Sequence, residues 1–123
     1  MNRQYLISAL VVALLSSSCG PTSIYNYGRY STTLYKYHKN DDADNLQAHM
    51  DELNRLILLA QRSGKRVPPG MHGELGYFYT LQQDLPSAEQ HFRTEMQLYP
   101  ESQIFMQRML DSIKDSQEGK NLE

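Results

Sequence analysis

Pro69-Gly70-Met71-His72-Gly73-Glu74-Leu75-Gly76-Tyr77-Phe78-Tyr79, continued by Asp84-Leu85-Pro86 and Ala88-x-x-x-Phe92 and closed by Pro100, is the stretch that decides the fold. Leu75 and Tyr79 stand four apart, so on a helix they share one face and can meet Ala88 and Phe92 from a returning helix. Gly76 and Ala88 are small where two such helices must approach closely. Asp84 suits a helix cap, and Pro86 suits a first turn, where no amide donor is needed. Pro100 then ends the second helix. The stretch predicts a helix, a tight turn and an antiparallel helix.

The spacing His72-x-x-Leu75-Gly76-x-x-Tyr79, then Ala88, Phe92 and Pro100, resembles the tetratricopeptide repeat. Two positions depart from that pattern: His72 stands where Trp is commonest, and Glu95 where Ala is usual. An ordinary helical hairpin is the plainer alternative.

Upstream, residues Ala43 to Arg62 carry Leu46, Met50, Leu53, Ile57 and Ala60 at steps of four and three, with Leu56 and Leu59 widening the stripe. Asp51, Glu52 and Arg55 are expected on the opposite, solvated side. Gly64 marks the stop and Val67-Pro68-Pro69-Gly70 a stiff connector. Arg62, Lys65 and Arg66 form a small basic cluster that a solvated helix end explains. A last helix is expected from Ser102 to about Lys114, burying Ile104 or Phe105, Met109 and Ile113, with Gln103, Gln107, Arg108 and Asp111 on its polar side. Such a helix would close the open end of a stack.

Before the long helix, Tyr25, Tyr27, Tyr30, Tyr35 and Tyr37 crowd one segment. Tyr27, Tyr30, Leu34 and Tyr37 share a helical face, although the alternation around Thr32-Thr33 also allows a short strand. A packed aromatic stripe and a sticky aromatic surface are both open readings. The expected architecture is all-α: a short array of about five antiparallel helices containing one tetratricopeptide-like helix–turn–helix repeat.

The first residues bear on location. Arg3, the apolar run Tyr5 to Leu15 and Ser16-Ser17-Ser18 before Cys19 read as a secretory leader, too short to span a membrane. Cys19 is the only cysteine. The stretch resembles the lipobox of bacterial lipoproteins, with Ser16 where Leu is commonest. The resemblance implies cleavage before Cys19, a diacylglycerol thioether on its sulfur and an acyl chain on its amine. Gly20, rather than Asp, after the lipidated residue implies the outer membrane, periplasmic face. The expected organisation is therefore 1–18 leader, 19–25 polar tether, 26–115 helical domain and 116–123 disordered tail. Loss of Arg3 with the leader would leave 11 basic against 14 acidic side chains, a balance with no strong overall field to attract nucleic acid or an anionic membrane surface.

The order of features also resembles a family of small bacterial lipoproteins known only as a domain of unknown function. Its carriers are Tyr27-Gly28-x-Tyr30, Leu34-Tyr35, Gly64-Lys65-Arg66-Val67-Pro68-Pro69-Gly70, Glu74-Leu75-Gly76-Tyr77, Tyr99-Pro100-Glu101-Ser102 and Phe105-Met106. The resemblance implies a partner in an envelope complex, among other lipoproteins encoded nearby, one of them similar to the curli secretion channel. It implies no catalytic residue.

Residue chemistry agrees with a non-enzyme. His38, His49, His72 and His91 have no metal-ligand spacing, and neighbouring carboxylates on one helix do not converge. No phosphate loop, nucleophile elbow or cofactor-binding pattern occurs. Met50, Met96, Met106 and Met109 fall at or beside core positions. The expected role is a scaffold or accessory subunit working through protein–protein contact, with an adaptor for peptidoglycan or a secreted polysaccharide as the alternative. If the first helix of the hairpin lines a groove, its outward positions are Gly73, Glu74, Tyr77 and Thr80, joined by Gln107 and Asp111 from the last helix. Tyr77 packed inward is the competing expectation.

Overall fold

The computed structural model describes residues 23–120. Among these described residues five α-helices follow one another: α1 Tyr30–Lys39, α2 Ala43–Ser63, α3 Met71–Leu81, α4 Leu85–Leu98 and α5 Gln103–Lys120, with a 3-10 turn over Pro100–Ser102 before the last. Among the described residues there is no strand, so the tyrosine-rich segment resolves in favour of a helix. Helix α1 packs on α2, α3 on α4, and α5 on α4.

Local chemistry sets these boundaries. Asp42 caps α2 by accepting the Asn45 amide at 2.8 Å, and Gly64 closes it in the left-handed conformation at φ 65°. Asp84 caps α4 through the Ser87 amide at 3.2 Å, with Pro86 in the first turn where its missing donor costs nothing.

Between α3 and α4, Leu75, Gly76, Ala88 and Phe92 are buried as the spacing of the hairpin predicts, while Tyr79 is half-buried. A methyl group on Gly76 would stand 2.6 Å from the Phe92 ring, so only hydrogen fits there. One cluster joins Met50, Leu53, Leu56, Ile57 and Ala60 of α2 to Met71, Leu75 and Phe78 of α3. A second joins Ala88 and Phe92 of α4 to Met106, Leu110 and Ile113 of α5. Burying a side chain such as Phe92 contributes about 1.5–3 kcal/mol.

Four local expectations change. Glu52, expected on the solvated side of α2, is only 2 % exposed. Its carboxylate accepts the Arg29 amide at 2.7 Å and is forked by Arg55 at 2.9 and 2.7 Å, which ties the start of α1 to α2. Arg55 chiefly, with the Arg29 amide, lowers the Glu52 carboxyl to about 2 despite its burial. Tyr27 precedes α1, its carbonyl accepting the Tyr30 amide at 2.8 Å. The stripe is therefore Tyr30, Leu34 and Tyr37.

Helix α5 buries Met106, Leu110 and Ile113, leaving Ile104 73 % and Phe105 62 % exposed. The 3-10 turn fixes the phase at which α5 meets α4, and that phase places the buried row one residue later than Phe105–Met109. Residues 116–120, expected to be disordered, continue α5. A Lys114–Glu118 pair at 3.8 Å, one turn apart, supports the extension. Residues 121–123, the leader 1–18 and Cys19 lie outside the described residues. No helix among the described residues is long and apolar enough to cross a membrane.

Candidate interaction face

Helix α3 is the centre of the site because two of its side chains form a ridge with a hollow on each side. Glu74 is partly exposed and Tyr77 is 47 % exposed. Toward α5 lies a groove of about 480 Å³. Glu74 and Tyr77 form one wall, Phe105 and Met109 the other, and Gly70, Gly73, Phe92 and Met106 the floor. Toward α1 lies a second hollow of about 330 Å³, between Leu34, Tyr37, His38 and Asp41 on one side and Glu74, Tyr77 and Phe78 on the other.

The glycines are part of the groove's shape. A methyl on Gly73 would come within 3.0 Å of the Met106 side chain, closing the floor. Gly70 adopts φ 87° at the cap of α3, which L side chains rarely do. Its amide is held by Glu95 of α4 at 2.7 Å, and the Gly73 amide by the same carboxylate at 3.2 Å. Glu95, 1 % exposed, thus supplies the acceptor that the orphan amides of α3 lack.

The ridge is held rigidly from behind. Glu74 accepts from His49 Nε2 at 3.0 Å and from the Tyr30 hydroxyl at 2.9 Å. Nδ1 of the same ring lies 2.7 Å from the Thr33 hydroxyl, so both ring nitrogens have partners. Burial, then Glu74, pushes the Tyr30 hydroxyl up to about 12. The rings of Tyr30 and Phe78 flank His49 at 5.4 and 5.8 Å, and Tyr37 meets Phe78 edge-on at 5.5 Å. The carboxylate that faces the groove is therefore anchored from α3 to two other helices, α1 and α2.

Of the residues expected at the face, Gly73, Glu74 and Tyr77 come together there, and Tyr77 points outward rather than into the core. Thr80 lines neither hollow; its hydroxyl donates to the Gly76 carbonyl at 2.9 Å. Gln107 and Asp111 lie on the other flank of α5, joined to each other at 2.9 Å and facing Glu89 and Arg93 across a polar hollow. With Met106 and Leu110 buried, the residue before each falls on one flank and the residue after on the other. Phe105 and Met109 are thus the α5 contribution, and the place of Phe105 between apolar Ile104 and Met106 hid it. Cys19, expected to carry lipid, lies outside the described residues.

A third polar feature lies behind the face. His72 and His91 meet Nδ1 to Nδ1 at 2.8 Å, and Tyr79 stacks on His91 at 5.4 Å. Burial, with His91 beside it, lowers His72 to about 4, and burial lowers His91 as well. Among the described residues no three His, Cys, Asp or Glu side chains converge to hold a metal ion.

Residues 24–109 match the family described as Domain of unknown function (DUF4810). No curated protein and no solved structure matches the sequence.

Proposed function

The chain belongs to the DUF4810 family, and from that premise we propose that it is a lipoprotein of the outer membrane, attached through lipid on Cys19, that acts on the periplasmic side as a scaffold or accessory subunit of an envelope or secretion complex. The observation that supports a protein-binding role is the groove between α3 and α5. It is walled by exposed Tyr77 and Phe105, floored by glycine, and backed by a Glu74 that cannot swing away. Aromatic anchors beside an apolar concavity are what protein interfaces favour. The hairpin α3–α4, with Gly76 under Phe92 and Pro100 at its end, supports a tetratricopeptide-like unit, whose first helices line the binding side. Other envelope lipoproteins, one similar to the curli secretion channel among them, are the proposed partners. The role requires no cofactor beyond the covalent lipid and no catalytic residue.

The test is affinity capture from detergent-solubilised membranes with the wild type and with Tyr77→Ala and Phe105→Ser. Both side chains are about half or more exposed, so the variants should keep their helical signal and lose the same discrete protein partner. Undiminished capture by both variants would move the interface elsewhere. Capture of glycan in place of protein would favour the polymer adaptor. Mass spectrometry of the mature chain showing an unmodified Cys19 would remove the lipid anchor.

A further inference from the structure

Helix α2 ends in a cationic corner that the groove does not use. Arg62 lies in its last turn, and Lys65 and Arg66 follow Gly64; all three are exposed. None of them forms an ion pair with a carboxylate among the described residues, although the chain as a whole carries an excess of acidic side chains. The Arg66 guanidinium lies 5.5 Å from the centre of the Tyr99 ring. Tyr99 is itself fixed, its hydroxyl donating to the Val67 carbonyl. Leu98, 42 % exposed, borders the same hollow as Lys65 and Arg66.

The N-terminal segment passes this corner. The Tyr25 side chain lies near the Tyr99 hydroxyl, and Ile24, next to it in the chain, is 63 % exposed. From Tyr25 back to Cys19 the chain can span at most about 20 Å, at 3.3–3.6 Å per residue. Helix α2 alone is about 30 Å long at 1.5 Å per residue. A membrane attachment at Cys19 therefore brings the Gly64 end of α2 to the bilayer more readily than the Ala43 end.

We infer that Arg62, Lys65 and Arg66 rest on the anionic phospholipid headgroups of the membrane that holds the chain, with Leu98 and Ile24 dipping beside them. This inference rests on the proposed attachment at Cys19. The chemistry is that of a juxtamembrane basic cluster: unpaired cations near the surface, each strengthening attraction to anionic lipid, and aliphatic side chains that lose water at the interface. The corner fixes the orientation of the domain.

The experiment uses the mature, lipid-carrying protein on vesicles of phosphatidylcholine alone or with three parts in ten phosphatidylglycerol. The rate of Lys65 acylation by an amine reagent is followed by mass spectrometry, with Lys114 as the internal reference. Lys65 should label several-fold more slowly on the phosphatidylglycerol vesicles, high salt should remove the protection, and Lys114 should not change. In Arg62→Gln/Arg66→Gln the protection should largely vanish, since two surface cations change residence on anionic lipid by roughly thirtyfold. Equal Lys65 labelling on both vesicles overturns the inference. Failure to associate with phosphatidylcholine vesicles speaks instead against the anchor, and it is scored separately.

Discussion

A methyl group at Gly76 would lie 2.6 Å from Cε1 of Phe92, whose ring is only 1 % exposed. The approach of α3 to α4 is set by that pair: hydrogen on one helix, a ring on the other. Gly76→Ala gains helix propensity of about 1 kcal/mol but forces the ring or the helices apart. Overpacking of this kind costs about 1–3 kcal/mol, so the net expectation is loss of stability, larger for Gly76→Leu. Urea unfolding followed by circular dichroism checks it; an unchanged midpoint for Gly76→Leu would contradict the close contact.

Glu74→Ala should destabilise the fold by about 1–3 kcal/mol, because it strips acceptors from buried His49 and from the Tyr30 hydroxyl. Glu74→Gln keeps an acceptor and should lose less. Thermal melts of the two variants, compared with Tyr77→Ala, separate support of the ridge from contact with a partner. If Glu74→Ala melts like the wild type, the network carries little stability.

Acid should weaken the protein in a window set by His72. Its folded value, about 4, lies below the ordinary 6.5, so the unfolded chain binds the proton more readily. Its stabilising contribution is complete above pH 6.5 and is lost as pH falls from 6.5 toward 4. The loss should be about 1–2 kcal/mol, less than the full shift would give, because the ring borders a solvent-open hollow. His91 shifts in the same direction. Denaturation midpoints measured across this range should slope for the wild type and flatten for His72→Phe; parallel curves would refute the assignment.

Glu52→Ala should loosen α1 from α2 and cost about 1.5–3 kcal/mol, the range for hydrogen bonds to a charged group. Because its folded value is about 2 against an ordinary 4.5, the wild type keeps this tie above pH 4.5 and loses it as pH falls toward 2. Hydrogen exchange is the measurement. Faster exchange in residues 30–39 with α3 and α4 unchanged is expected, and uniform protection would count against the tie.

The parts of this architecture that could be read from sequence are those whose cause is local. The stop at Gly64, the cap at Asp84 and the stripe from Met50 to Ala60 each depend on neighbours within one or two turns. The groove was half legible: Glu74 and Tyr77 follow from the phase of Leu75, whereas Phe105 sits in an unbroken apolar triplet, Ile104 to Met106. Only the 3-10 turn at Pro100–Ser102 decides which of the three faces α4. The buried polar groups were hidden for another reason. His72 and Glu95 looked like departures from a repeat, yet each has a partner on the other helix of the hairpin, His91 for the first and the Gly70 and Gly73 amides for the second. Glu52 and His49 likewise find their partners across helices.

The carboxylate of Glu95 also bears on the order in which the chain acquires its shape. Helix α3 begins at a glycine with no side-chain cap of its own, and the acceptor for its first amides arrives from a residue 25 positions later. An eleven-residue helix is marginal in isolation. During synthesis, therefore, α3 should remain frayed until α4 has emerged and docked, so that the two consolidate in one cooperative event. A peptide spanning residues 69–84 should show little helicity in water and one spanning 69–100 substantially more; equal helicity per residue in both would mean that α3 nucleates without its distant cap.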